Sequence, residues 1–183
     1  MTQRIQQNPT PDAKAAELLA GAKKALGMVP NLFSTVAQST AALEFHLMGS
    51  AALQKTKLSG ALREQLAVAT AGANGCDYCA SAHTALGGMR KVEAGELAMN
   101  LNGKSGDVKT QAALTFARKV VDTRGHVADA DLQAVRAAGY SEGEIVEIVA
   151  VVADNIFTNY VNNVAKTTID FPLVSTGKDS KAA

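Results

Sequence analysis

The chain has 183 residues, of which 47% are hydrophobic and 19% are charged, and its formal net charge is +1. That length suffices for one domain with a hydrophobic core, and the near-zero net charge gives no sign of the basic surface expected of a protein that binds nucleic acid or an anionic membrane, so no partner of that kind is implied. The opening residues, MTQRIQQNPTPD, hold no apolar segment typical of a signal peptide, and no run approaches roughly 18 apolar residues, so we expect a soluble, cytoplasmic protein.

The N-terminal region is predicted to be helical after a flexible start. Residues 1–10 are polar and are expected to be flexible, so the single domain is predicted to span residues 11–174. Pro11 suits the first turn of a helix that stops at Gly27, and residues 32–37 resume helical spacing after a connector. The inward-facing residues of a third predicted helix, 41–57, are Leu43, Leu47, Ala51 and Leu53.

Two further helices are predicted on either side of a turn at Asn74-Gly75. Ser59 is a suitable N-cap for the first of them, whose apolar residues at core spacing are Leu58, Leu62, Leu66 and Ala69. Residues 72–75, Gly-Ala-Asn-Gly, form a strong turn signal, and the second helix starts near Cys76 and meets no breaker until Gly87. We therefore expect a helical hairpin.

The residues expected to carry chemistry lie on this hairpin. Cys76 and Cys79 are the two cysteines of the chain, and His83 follows four residues later. At 100° per residue, positions i, i+3 and i+7 lie within roughly 60° of one another on a helix. Glu64 is about as far from the turn as His83, so the carboxylate, the imidazole and both thiols are predicted to converge. The helix N-terminus favours thiolate over thiol, and a carboxylate near His83 makes it a stronger base.

This arrangement resembles the active-site signature of the AhpD-like alkylhydroperoxidases, within the carboxymuconolactone decarboxylase superfamily: Glu, eleven residues, Cys, two residues, Cys, three residues, His. The resemblance implies an all-α, AhpD-like helical bundle with its active site on a helical hairpin. It also implies that Cys79 attacks the peroxide, that Cys76 resolves it as a disulfide, and that Glu64 and His83 relay protons. Tyr78 departs from the best-studied form of the motif, which has a His there; a phenol is a poor base but can donate a hydrogen bond.

The same resemblance implies a function and partners. It implies a thiol peroxidase that reduces hydroperoxides with no cofactor and no metal, recycles with an unidentified thiol or dithiol reductant, and assembles into homotrimers or hexamers. Two further strings, Gly-x-Val-Pro-Asn at residues 27–31 and Asn-x-x-Thr-Asn at residues 155–159, resemble peroxidase-related members of the superfamily.

The C-terminal half is predicted to contain four more helices, at residues 91–100, 108–124, 128–138 and 142 to about 166. Asp107 can cap the second of these, and Ser141 forms a capping box with Glu144 at the start of the last. Residues 145–153 are apolar nearly all round, which is typical of a helix at the centre of a domain or at a subunit interface. Residues 175–183 are predicted to be a disordered tail. No strand, phosphate loop or Ser-His-Asp pattern is present, so the fold class is all-α.

Several polar residues lie outside the motif. Asn155, Asn159 and Asn162 recur at i, i+4 and i+7 on the last helix, and buried amides need hydrogen-bond partners. We expect hydrogen bonds across a helix pair or a subunit interface; the alternative is that the three line the peroxide site. His46 is predicted to be a packing or surface residue, and His126 to be exposed to solvent.

Four alternatives to the peroxidase interpretation remain open at this stage. The two cysteines and His83 could bind zinc with Glu64 as a fourth ligand, although structural zinc sites usually draw ligands from separated segments. The cysteines could be two small core residues. The chain could be a carboxymuconolactone decarboxylase-type lyase, which does not need a cysteine pair, or a dithiol redox module that acts on the disulfide of another protein.

Overall fold

The computed structural model describes residues 2–177, and within that range it contains nine α-helices and no β-strand. The helices are α1 Ala13–Leu26, α2 Asn31–Val36, α3 Thr40–Leu53, α4 Gly60–Asn74, α5 Asp77–Met89, α6 Ala94–Asn100, α7 Val108–Asp122, α8 Asp129–Ala137 and α9 Glu142–Ala165. The predicted all-α fold class is confirmed.

Local sequence signals fix where most helices begin. The side chain of Ser59 accepts a hydrogen bond from Leu62 N at the start of α4, and Asp107 does the same for Thr110 N at the start of α7. Ser141 forms the predicted capping box with the third residue of α9, Glu144. These caps satisfy N–H groups that have no partner inside the helix, and they therefore stabilise a helix start at these positions. The predicted starts of α4, α7 and α9 are confirmed.

The centre of the domain is α4, which packs against α5, α7 and α9. One hydrophobic cluster joins α4 to α7, α8 and α9, and its fully buried residues include Leu66, Leu114 and Ile148. A second cluster joins α1, α2 and α3 to the C-terminal end of α4 and to α5, and both cysteines belong to it. The hairpin of α4 and α5 therefore connects the two parts of the core.

The glycines of the hairpin have a different role from the predicted one. The expected turn at residues 72–75 is wrong at its start, because α4 continues to Asn74 and the chain turns at Gly75, where φ is 65°. A side chain at Gly72 would collide with the carbonyl oxygen of Leu101, so this glycine permits a close approach rather than a turn. Similarly, α5 runs through Gly87, where a Cβ atom would lie 2.7 Å from Leu97 Cδ2.

Two other boundaries also differ from the prediction. Helix α3 ends at Leu53 rather than near residue 57, and Ala51, predicted to face inward, is exposed. The connector after α3 is held by Arg63, whose guanidinium donates to Leu58 O at 2.7 Å and to Gln54 Oε1 at 2.8 Å. Helix α6 begins at Ala94, three residues later than predicted.

The segments at both ends of the described range are hydrogen-bonded to the domain. Arg4 N donates to Ala165 O at 2.6 Å and Asn8 N to Ser34 O at 2.8 Å, so the segment predicted to be flexible, residues 1–10, is hydrogen-bonded to the domain without forming a helix, although most of its residues are exposed; Met1 lies outside the described residues. At the other end Thr176 N donates to Asp77 Oδ1 at 2.7 Å. The predicted disordered tail therefore has a packed beginning, and its residues 178–183 lie outside the described range. Among the helices of the described residues, none has both the length and the apolarity needed to cross a membrane.

Candidate active site

The two cysteines lie at the junction between α4 and α5. Cys76 is the N-cap of α5, and its sulfur accepts a hydrogen bond from Cys79 N at 3.2 Å. The backbone N–H of Cys76 donates to Ala71 O at 3.0 Å, which ties the junction to the last turn of α4. The predicted helix start near Cys76 is confirmed. This position exposes the Cys76 sulfur to the N–H groups and the positive end of the α5 dipole, which favour a thiolate.

The cysteine sulfurs are paired and buried. Their Sγ atoms lie at disulfide-forming distance, with Cα atoms 5.4 Å apart. Cys76 is 0% exposed and Cys79 is 2% exposed. Both cysteines belong to an apolar cluster, against which the C-terminal residues Ile169, Phe171 and Val174 also pack. The two sulfurs are therefore placed to form a disulfide, and solvent does not reach them directly.

His83 and Glu64 form the hydrogen-bonded pair that the spacing predicts. His83 Nδ1 lies 2.8 Å from Glu64 Oε2, and the two side chains are 25% and 15% exposed. A carboxylate is an acceptor, so Nδ1 carries the proton in this contact and the other ring nitrogen, Nε2, is the acceptor of the neutral imidazole. His83 lies one helical turn after Cys79 on α5, on the same face. Glu64 thus fixes both the orientation and the tautomer of His83.

Tyr78, which replaces the histidine of the family signature, is a buried anchor. Its hydroxyl oxygen accepts a hydrogen bond from Leu32 N at 3.1 Å, and its ring packs edge-on against Phe171 at 5.9 Å. Burial raises the pKa of the Tyr78 phenol far above its usual value, so the group stays protonated. These contacts tie α5 to α2 and to the C-terminal segment.

The asparagine stripe of α9 reaches the cysteine site. Asn162 Nδ2 lies 3.2 Å from Cys79 Sγ, and Asn159 Oδ1 accepts from Asn74 Nδ2 at 2.9 Å. Asn155 Nδ2 donates to Val151 O within its own helix at 2.9 Å. The predicted bonding across a helix pair is present for Asn159, whereas Asn162 contacts the Cys79 sulfur. The recurrence of asparagine at i, i+4 and i+7 is the sequence pattern that indicates a role for these residues, but it does not indicate which amide faces the sulfur.

The remaining histidines lie apart from this arrangement. His46 is 6% exposed, and its Nδ1 lies 3.2 Å from Asp154 Oδ1, with its ring packed between Phe33 and Phe157. It therefore joins α2, α3 and α9, in agreement with a packing role. His126 is exposed, as predicted. Across residues 2–177, no three or more His, Cys, Asp or Glu side chains are grouped so that they could hold a metal ion.

Comparison with known protein families finds a family model that matches the part of the chain containing the motif. The model of the family described as "Carboxymuconolactone decarboxylase family" matches residues 37–122, a segment that contains Glu64, both cysteines and His83. No curated protein matches the chain in sequence at a significant level.

Solved structures share the fold over nearly the whole chain. A peroxidase-related protein with an alkylhydroperoxidase AhpD core, from Ralstonia eutropha JMP134, is similar with a TM-score of 0.82 and 24% identity, over 92% of this chain and 94% of that one. A peroxidase-related protein from Silicibacter sp. TM1040 has a TM-score of 0.78 and 25% identity, over 88% and 86%. The debrominase Bmp8 in complex with 2,3,4-tribromopyrrole has a TM-score of 0.78 and 20% identity, over 93% of both chains. The part of the chain that contains Glu64, both cysteines and His83 thus matches the carboxymuconolactone decarboxylase family, and the fold of the chain is similar to that of AhpD-like, peroxidase-related proteins.

Proposed function

We propose that the protein is a thiol peroxidase that reduces hydroperoxides through Cys79 and Cys76 without a cofactor or a metal. The observation that carries the proposal is the combination of a cysteine pair at disulfide-forming distance with the His83–Glu64 pair on the same hairpin. Two structurally similar proteins described as peroxidase-related, one of them with an AhpD core, support the same class of reaction.

In the first step the Cys79 thiolate attacks the outer oxygen of the hydroperoxide. A bond forms between sulfur and oxygen, the O–O bond breaks, and the alkoxide leaves. His83 takes the thiol proton on Nε2 and returns it to the alkoxide, so that the products are an alcohol and a sulfenic acid on Cys79. Glu64 acts as a positioning residue, because its hydrogen bond to Nδ1 leaves Nε2 available as the base and stabilises the imidazolium that forms.

In the second step Cys76 resolves the sulfenic acid. The Cys76 sulfur attacks the Cys79 sulfur, the S–O bond breaks, and the hydroxyl leaves as water after it receives the Cys76 proton. The N-cap position of Cys76 favours its thiolate and thus its attack. A thiol or dithiol reductant then supplies two electrons and two protons to restore both thiols.

The burial of the two sulfurs limits which molecules can reach them. Because Cys76 and Cys79 are 0% and 2% exposed, a partner protein can attack the disulfide only after a local opening. This burial disfavours the alternative of a dithiol module whose main substrate is the disulfide of another protein. The decarboxylase-type alternative gains no support from a paired dithiol, which such chemistry does not require.

The surface of α9 supports assembly into a homo-oligomer, which we propose to be a trimer or hexamer. Four large apolar residues of this helix are exposed: Val146 at 67%, Val149 at 40%, Tyr160 at 56% and Val164 at 59%. They recur at helical spacing along one side, and a second copy of the chain can cover such a stripe. We place the reaction in the cytoplasm, where a reducing environment maintains catalytic thiols.

The roles of the two cysteines are tested by trapping the intermediate. With one equivalent of cumene hydroperoxide, Cys76→Ser should complete one turnover and leave a sulfenic acid on Cys79 that dimedone labels, whereas Cys79→Ser should not react. Mass spectrometry of the labelled peptides identifies the site. A sulfenic acid on Cys76 in Cys79→Ser, with none on Cys79 in Cys76→Ser, would reverse the assigned roles.

A further inference from the structure

The amide of Asn162 is placed to act directly on the sulfur proposed to attack. Asn162 is 3% exposed, and its Nδ2 lies 3.2 Å from Cys79 Sγ. A disulfide sulfur and a thiolate both lack a proton, so the amide must donate to either of them. The hydrogen bond becomes charge-assisted when Cys79 is a thiolate, and it is then stronger than in the oxidised state. Asn162 therefore favours the reactive form of Cys79.

Two amide atoms on the same side of α9 lack a protein partner. Asn162 Oδ1 and Asn159 Nδ2 are buried and make no hydrogen bond within residues 2–177. The other amide atoms nearby are used, because Asn159 Oδ1 accepts from Asn74 and Asn162 Nδ2 donates to Cys79. Buried polar atoms without a partner are rare in folded proteins, and each needs an explanation. Here they are one acceptor and one donor, one helical turn apart.

We propose that Asn162 and Asn159 form the oxygen-binding part of the hydroperoxide site at Cys79. Asn162 Nδ2 holds the sulfur as a thiolate, Asn162 Oδ1 accepts the O–H of the hydroperoxide, and Asn159 Nδ2 donates to one of its oxygens. This inference rests on the proposed peroxidase function. The amide pair carries no charge and the cysteines lie in an apolar cluster, so the site suits a neutral alkyl or aryl hydroperoxide.

The same amides also bind the product of the first step, the Cys79 sulfenic acid. Oxygen transfer converts the O–H of the substrate into the S–O–H of the Cys79 sulfenic acid, which again has one proton to donate and lone pairs that accept. The acceptor Asn162 Oδ1 and the donor Asn159 Nδ2 match both groups. The pair therefore holds the transferred oxygen until Cys76 displaces it.

The action of Asn162 on sulfur is tested without peroxide. In a reduced Cys76→Ser background, the rate of Cys79 alkylation by iodoacetamide is measured against pH for Asn162→Ala and Asn162→Asp. Loss of the donor should raise the apparent pKa of Cys79 by about one unit, and the added carboxylate of Asn162→Asp should raise it further. Asn155→Ala is the matched control, because Asn155 is also a buried asparagine of α9 but bonds to its own helix. It should leave the alkylation profile unchanged.

The role of Asn159 is tested with peroxide. Asn159→Ala should lower the second-order rate constant for cumene hydroperoxide about tenfold while leaving the pKa of Cys79 unchanged. Asn74→Ala is its control, because it removes the same Asn74–Asn159 hydrogen bond but retains the Asn159 Nδ2 donor group. A structural role alone would make the two variants equally slow, and that result would overturn the inference for Asn159.

The outcomes separate this inference from the proposed function. Rapid reaction with hydroperoxide in every asparagine variant, with an unchanged pKa of Cys79, would overturn the inference and leave the peroxidase proposal intact. No reaction of the unmodified protein with hydroperoxide would overturn both the function and the oxygen-binding site. A shifted pKa of Cys79 in Asn162→Ala would, even then, support the hydrogen bond to the thiolate.

Discussion

Removal of the charge on Glu64 tests whether the His83–Glu64 pair matters for the reaction. Glu64→Gln keeps the size of the side chain and one acceptor oxygen, but it is neutral. The contact between His83 Nδ1 and Glu64 Oε2 is 2.8 Å long, and a hydrogen bond to a charged group contributes about 1.5–3 kcal/mol. Because the side chains are 25% and 15% exposed, solvent weakens the interaction and the lower part of that range applies.

The expected effect is a slower first step. A loss of about 1.5–2 kcal/mol of transition-state stabilisation corresponds to roughly a 10- to 30-fold lower rate constant. The assay mixes the reduced protein with cumene hydroperoxide at pH 7 and follows the loss of free thiols with a chromogenic disulfide reagent. Thermal unfolding of the same variant shows whether the fold is retained.

The second histidine–carboxylate pair of the chain provides a matched control. Asp154→Asn removes the carboxylate that lies 3.2 Å from His46 Nδ1, between α3 and α9. It should change stability but not the rate of thiol loss. An unchanged rate in Glu64→Gln, or an equal loss of rate in Asp154→Asn, would refute the reasoning about the proton relay.

Three further predictions concern the packing and the pH dependence. Gly72→Ala should lower the free energy of unfolding by more than about 2 kcal/mol in chemical denaturation, because the new methyl group collides with the Leu101 carbonyl oxygen. Tyr78→Phe should lower the free energy of unfolding by about 1–3 kcal/mol, because it leaves the buried Leu32 N–H unpaired. The rate with peroxide should stay the same, and a lower rate would mean that the phenol takes part in the reaction. Burial raises the pKa of Glu96, but hydrogen bonds from Ser105, Gly106 and Asn100 outweigh burial and hold the pKa of this carboxyl below its usual value of 4.5. The stabilisation from Glu96 is therefore complete above pH 4.5 and disappears as the pH falls through the lowered pKa. The loss of stability caused by Glu96→Gln should accordingly shrink in acid.

Local signals in the sequence were sufficient for the helices and for part of the site. The caps at Ser59, Asp107 and Ser141 act within one turn of the chain, so residue type and spacing predict them. The contact between Glu64 and His83 follows from their roughly similar distances to the hairpin turn, and it is present.

Features that depend on distant segments were not predictable in the same way. Gly72 resembles a turn residue in sequence, but glycine is required there because the Leu101 carbonyl group, 29 residues later along the chain, leaves no room for a side chain. Asn162 meets Cys79 across 83 residues, and a polar stripe cannot specify which sulfur it approaches. The connector after α3 is held by hydrogen bonds from Arg63 on the next helix. In each case the deciding partner belongs to another element.

We propose that Cys76 and Cys79 together reduce one hydroperoxide molecule per turnover. This reaction is measured by counting free thiols in the fully reduced protein before and after one equivalent of cumene hydroperoxide, and by measuring the alcohol formed. We expect the loss of two thiols for each alcohol produced and a protein mass lower by two hydrogen atoms, as a disulfide between Cys76 and Cys79 requires. Unchanged thiols together with intact hydroperoxide would contradict the proposed reaction.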